Sequence, residues 1–220
     1  MNHSKNHDTE KKSLIIIING KGGSGKDTLI NEYQNHHLDL NILNISSIDP
    51  IKKASYFLGE TRYSNKTDKY RQFLAKLKQI STEYNDYPFT YVKNQIYYKT
   101  TGYWFNECND KSINPCIFID IYFVHIREPE EIEKLVNWCH EDNMIRKYCT
   151  VKTLLVTSSR TEDKVYGNAS DDNVNSYDYD IIIDNSDSME ETFKVFDDTI
   201  DSLLNSQSTK IIDSNEHTTS

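Results

Sequence analysis

Ile18-Asn-Gly-Lys-Gly-Gly-Ser-Gly-Lys-Asp-Thr28 is the stretch that decides the fold. It follows the apolar run of residues 14–18, which reads as a buried strand, and it opens a helix predicted over residues 26–36. Gly20 and Gly25 bracket four residues, and Lys26 follows directly. A strand, a glycine-rich turn and a helix in this order make a phosphate-binding loop. The backbone N–H groups of Gly20, Lys21, Gly22, Gly23, Ser24, Gly25 and Lys26 would converge on phosphate oxygens. The helix would present its positive dipole end to the anion. Lys26 is expected to bridge the terminal phosphates. Position 27, where a hydroxyl ordinarily ligates magnesium, holds Asp27, and Thr28 comes next. Asp27 is therefore expected to hold Mg2+ directly or through water, and Thr28 to bond an inner phosphate. The alternative is a glycine-rich turn with no ligand.

Composition narrows the classes around this loop. The 220 residues suit one domain, or one domain with an inserted lid, and can bury a sizeable core. The formal charge of -9 disfavours broad, nonspecific binding to nucleic acid but leaves room for a local cationic pocket. Cys108, Cys116, Cys139 and Cys149 form neither a C-x-x-C pair nor a metal spacing, which points to reduced structural thiols. No apolar run approaches the ~20 residues that span a bilayer, and the N-terminus lacks a hydrophobic signal core. These features lead to the expectation of a cytoplasmic protein with no nucleic-acid or membrane partner.

Outward from the loop, strands and helices alternate. A strand is predicted over residues 42–48. Asp49-Pro50 then starts a helix, with Asp49 as its cap and Pro50 in the first turn. Residues 67–84 read as an amphipathic helix, with Tyr70, Phe73, Leu74, Leu77 and Ile80 at helical spacing. Residues 89–105 read as an aromatic-rich helix. Residues 116–126 read as a central strand, and residues 128–139 as a helix with acids in its first turn. Strands over 151–156 and 181–183 and a helix over 189–204 complete the core. The expected fold class is α/β, a doubly wound parallel sheet with a helical insertion over about residues 60–113. Residues 1–12 and 207–220 read as disordered tails flanking a single domain over 13–206.

The Gly-Lys-Asp-Thr ending of the loop resembles that of the deoxynucleoside monophosphate kinases of tailed phages and related bacterial nucleotide kinases. It is also similar to the animal type of phosphomevalonate kinase. The resemblance implies a P-loop NTPase fold in which the helical insertion binds the acceptor and a short lid closes over the phosphates. It further implies ATP and Mg2+ as cofactors. Ile48-Asp-Pro-Ile-Lys-Lys53 resembles the acceptor-bordering segment of the phage kinases, which gives Lys52 a role on the acceptor phosphate and Asp49 a positioning or metal-linked role. Lys69-Tyr-Arg-Gln-Phe-Leu74 resembles their acceptor helix, whose arginine would be Arg71. A capping Asp49 and a solvated Arg71 are the ordinary alternatives. Asp86 is placed either to bond a base or sugar or to form a turn before Pro88.

Two segments of the next strand bear on where a metal-holding acid would stand. Cys116-Ile-Phe-Ile-Asp120 has the pattern of a Walker B strand, although apolar residues continuing to Ile126 leave Asp120 at the wrong height. His125-Ile-Arg-Glu-Pro-Glu-Glu131 is similar to the strand-ending D-x-R segment of the kinases, with His125 where the acid is expected. Arg127 then becomes a phosphate contact, with an ion pair to Glu130 or Glu131 as the alternative. Arg160 and Lys164 follow the fourth strand in the position of lid cations, which close over a transferring phosphate. Asn185 follows the last strand, where its amide could meet an adenine edge or cap a turn.

The reading is ATP-dependent phosphoryl transfer to a (deoxy)nucleoside monophosphate, with small-molecule nucleotides as partners. Lys26, Arg127, Arg160 and Lys164 would carry the transfer. A kinase of another small phosphorylated metabolite and a nucleotide-binding regulatory protein with little turnover are the alternatives.

Overall fold

The computed structural model describes residues 12–59, 67–102, 118–163 and 173–209. Strand β1 (Ser13–Asn19) is buried along its whole length. Successive residues of a strand face opposite sides of the sheet. Ile15 and Ile17 enter one core with Tyr122, Val124, Val92, Ile96, Ile132 and Leu135. Leu14, Ile16 and Ile18 enter a second core with Leu29, Ile30, Tyr33, Phe123, Phe196 and Ile200. An unbroken apolar run is the signature of a strand covered on both faces, and it places β1 in the middle of a parallel sheet.

The remaining elements follow from that placement. Helix α1 (Lys26–His36) leads to β2 (Ile42–Ser46) and α2 (Asp49–Phe57). Two long helices, α3 (Asp68–Asn85) and α4 (Tyr87–Thr101), lie before β3 (Ile121–His125). Then come α5 (Pro129–Glu141), α6 (Asn143–Tyr148) and β4 (Cys149–Thr157). A single turn, α7 (Ser159–Glu162), a 3-10 turn (Val174–Ser176), β5 (Ile181–Asp184) and α8 (Met189–Thr209) close the fold. The five strands are ordered β2-β3-β1-β4-β5, and every pairing is parallel. This α/β architecture is consistent with a P-loop-like Rossmann-type fold. Helices α4 and α5 cover one face, and α1 and α8 the other. The glycine-rich loop leaves the carboxyl end of the central strand, the end at which ligands of such sheets bind.

Several boundaries differ from the sequence expectation for identifiable reasons. Strand β3 begins at Ile121, because Asp120 turns its carboxylate onto Asn41 and accepts the Asn41 N–H at 2.8 Å. Asp120 thus sits at the amino end of its strand, opposite the loop, and is not placed as a Walker B acid. Asp49 is not the cap of α2. Ile48 occupies that position, and the Asp49 carboxylate accepts the Ser46 N–H at 2.9 Å. Helix α4 stops at Gly102, which takes the left-handed conformation at the C-cap. Ile80, expected on the apolar face of α3, is 63% exposed. Helix α6 was not anticipated; Asp142 caps it by accepting from the N–H groups of Met144 and Ile145. Helix α8 continues to Thr209, into the segment read as tail.

Other expectations lie partly outside the described residues. Cys139 and Cys149 are buried free thiols, and burial pushes both up from the ordinary thiol range. Cys108 and Cys116 fall outside the description. Among the described residues no helix is long and apolar enough to cross a membrane.

The Asp120–Asn41 contact ties the β2 entrance to β3. Asp120→Ala leaves a part-buried N–H without its acceptor, and is expected to lower unfolding stability by ~1–3 kcal/mol. Urea denaturation checks this. Phosphate-ligand affinity of the folded variant should stay at the wild-type value, which a metal-holding acid would not allow.

Candidate functional site

The loop after β1 has the geometry of a phosphate cradle. Gly25 stands at φ 92° and caps α1, whose first hydrogen bond runs from Leu29 N–H to Gly25 O at 3.0 Å. A Cβ on Gly25 would lie 2.1 Å from Asn185 Nδ2, and one on Gly20 would lie 2.6 Å from the Val156 carbonyl. Both glycines therefore admit close approach of the neighbouring strand ends, and Gly25 also supplies a left-handed conformation. The Ser24 N–H bonds Lys21 O at 3.0 Å and tightens the turn. Lys26, at the start of α1, is buried, and its Nζ lies 3.3 Å from Asp27 Oδ1. Asp27 and Thr28 are exposed on the first turn.

Two asparagines hold the loop from below. Asn19 ends β1 and is fully buried. Its Oδ1 accepts the Gly20 N–H at 2.8 Å, and its Nδ2 donates to Arg127 O at 3.0 Å and to the Tyr179 hydroxyl at 2.7 Å. Burial pushes Tyr179 up to about 12, so the hydroxyl keeps its proton and donates to Val174 O at 2.9 Å. Asn185 follows β5 and donates from Nδ2 to Ser24 O at 2.8 Å. Its buried amide faces the loop and braces it, closer to the turn-capping alternative than to an adenine contact. Asn19 and Tyr179 were not read from the sequence. Asn19 carries a signal, a polar residue closing an otherwise apolar strand, whereas Tyr179 carries none.

The segment after β4 packs on the same loop. Lys21 Nζ donates to Glu162 O at 2.7 Å, and the Thr161 methyl lies 3.6 Å from where a Gly23 Cβ would stand. Arg160 donates from Nε to Ser158 Oγ at 3.1 Å and from Nη2 to Asn185 O at 2.9 Å. Arg160 is thus brought to the rim of the loop and held by two strand ends. Lys164 lies outside the described residues.

Beside the loop stands the end of β3. His125 pairs in register with Ile18 of β1 and Ser46 of β2. Its Nδ1 lies 3.7 Å from Asp27 Oδ1. Burial first, then the positive charges of Lys26, Lys52 and Arg127, hold the imidazole down at about 4, against an opposing pull from Asp27. The ring is therefore neutral at pH 7. Lys52 lies 3.7 Å from Asp49 in the first turns of α2. The structure thus gathers Lys26, Asp27, His125, Lys52 and Arg127 at one edge of the sheet.

Two other candidates are placed differently. Asp86 takes φ 55° at the corner between α3 and α4 and pairs with Lys134 of α5. That is the turn alternative, with Oδ2 of its carboxylate engaged by the lysine. Arg71 lies exposed on α3. A cleft of about 380 Å³ opens along α5, lined by Phe89, Glu130, Glu133, Lys134, Trp138 and Glu141. Its carboxylates make it a poor phosphate site.

The donor set at the loop fits a polyphosphate with a divalent cation. The glycine cradle admits phosphate oxygens, Lys26 stands at the helix start, and the exposed Asp27 carboxylate is a hard oxygen ligand. The chain matches no protein-family model and no curated protein.

Two outcomes follow. Asn185→Ala removes the donor to Ser24 O and is expected to cost ~1–3 kcal/mol of stability. Its affinities for tripolyphosphate and ATP should fall by the same factor in calorimetry, since the lost contact is to the loop and not to a base. The second outcome concerns pH. Unfolded histidine binds a proton near pH 6.5, and folded His125 does not until about pH 4. The stability this group contributes is present above pH 6.5 and is lost as pH falls toward 4. The melting temperature should drop across that window, and His125→Asn should flatten the drop.

Proposed function

We propose that the chain transfers the terminal phosphoryl group of ATP to a phosphate already carried by a small acceptor, foremost a (deoxy)nucleoside monophosphate. One observation carries the reading. Lys26 opens α1 after β1, Lys52 lies in the first turns of α2 after β2, and Arg127 follows β3, so three cations from separate elements stand at the carboxyl edge of adjacent strands, beside the glycine cradle. Phosphoryl transfer asks a protein mainly to position two substrates and to neutralise charge. Such a convergence supplies both.

In this reading the loop amides and Lys26 grip the ATP phosphates, and Asp27 holds the accompanying divalent cation. The cation, when bound, neutralises charge on the phosphates. Lys52 faces the acceptor phosphate, and Arg127 stabilises charge on the group in transfer. Arg160, on the rim, is placed to add to that stabilisation, and Arg71 on the helical insertion reaches the far side of the acceptor. No catalytic base is required, because the attacking phosphate oxygen is already ionised.

His125, standing where an acid was expected, favours a second reading: a nucleotide-binding regulatory protein with little turnover. A third keeps the chemistry and changes the acceptor to another phosphorylated metabolite. A coupled ADP-release screen over nucleoside and deoxynucleoside monophosphates, with phosphomevalonate included, separates the three. Turnover with one nucleotide class supports the kinase reading. ATP binding without turnover on any acceptor supports the regulatory one. Lys26→Ala should abolish turnover while circular dichroism stays unchanged. Full turnover in that folded variant would overturn the kinase assignment.

A further inference from the structure

The edge of the sheet beside the loop offers a mixed donor pair in place of two oxygens. His125 Nδ1 and Asp27 Oδ1 lie 3.7 Å apart, with the imidazole 15% exposed and the carboxylate 69% exposed. That separation is too long for a hydrogen bond. Two ligands on one small dication, each at about 2.1 Å, stand about 3 Å apart when adjacent and about 4 Å apart when opposite. The observed spacing falls between these values, and a small turn of the exposed Asp27 side chain sets either.

The other acids near this edge are engaged elsewhere. Asp49 accepts the Ser46 N–H, and Glu128 pairs with Lys78 of α3. Asp120, the acid carried by the β3 segment, is at the opposite end, on Asn41. Among these groups only His125 stands at the strand end with a ring nitrogen 3.7 Å from Asp27 Oδ1. The Asp27 carboxylate now lies beside Lys26 Nζ, and a bound polyphosphate would draw that ammonium toward its own oxygens.

Resting on the reading that the loop binds a polyphosphate, we propose that Asp27 and His125 jointly ligate its divalent cation, and that the imidazole nitrogen turns the preference of the site from Mg2+ toward Mn2+. Mg2+ favours oxygen ligands in near-ideal octahedral geometry. Imidazole nitrogen suits first-row transition ions, so one nitrogen in the set penalises Mg2+ most. His125 is then a specificity-determining residue for the metal, and its occurrence in place of an acid has a chemical consequence.

The test is pulsed electron paramagnetic resonance on the full chain with Mn2+ and inorganic tripolyphosphate. Tripolyphosphate contains no nitrogen, so any nitrogen coupling to the Mn2+ comes from the protein. Labelling the chain with 15N-histidine should convert the coupling from 14N to 15N. His125→Asp should remove it and lower the Mn2+-to-Mg2+ affinity ratio roughly tenfold, ~1.4 kcal/mol. His125→Gln serves if the aspartate variant does not fold. Tight Mn2+–tripolyphosphate binding with no histidine coupling overturns the proposal and leaves the loop reading intact. Histidine coupling that survives in the His125 variant overturns it as well. If tripolyphosphate fails to bind with either cation, the polyphosphate reading of the loop falls, and this proposal with it.

Discussion

Burial of β1 on both faces is the constraint on which the rest of the molecule depends. Five consecutive aliphatic residues, Leu14 to Ile18, must be covered from above and below. A strand with one solvated face cannot do this, so β1 takes the centre of a parallel sheet and helices close over both sides. The connection leaving β1 then emerges at the middle of the carboxyl edge, flanked by the ends of β3 and β4. Every group in the candidate site is there because of that position. His125 comes from one neighbouring strand, and Ser158 and Arg160 from the other.

A second constraint acts on the loop itself. Its backbone turns the Gly20 N–H and the Ser24 carbonyl toward the protein, and both must find partners there. Asn19 and Asn185 fill that role from the ends of β1 and β5. The buried amides take the place water would have under an exposed turn. They also explain why glycine is needed at position 25: any side chain there would displace Asn185.

Legibility in the sequence followed the length scale of the signal. The loop and its strand were readable because the glycine spacing and the apolar run are local patterns. The long amphipathic helices and the alternating order were readable for the same reason. What escaped was decided by contacts between distant residues. Asp120 fits an acid-ended strand by pattern, yet the nearby β2 entrance captures its carboxylate and shortens the strand. Asn185 reads in one dimension as a ligand contact or a turn cap, and in three it donates to Ser24 O of the loop. Asp86 shows the same effect, since its partner Lys134 is 48 positions away. His125 was noticed as a departure, but its nearness to Asp27 and Lys26 depends on strand register.

The brace from Asn185 to Ser24 spans 161 positions. The glycine loop precedes four of the five strands, yet its shape is completed by a residue that follows the last of them. Contacts of such separation form late, since the intervening chain must first be ordered. A nascent chain lacking β5 holds an unbraced loop and a central strand with one side unfinished. The braced shape of the loop is therefore reached at the close of folding rather than at its start, and the loop reports on completion of the whole sheet.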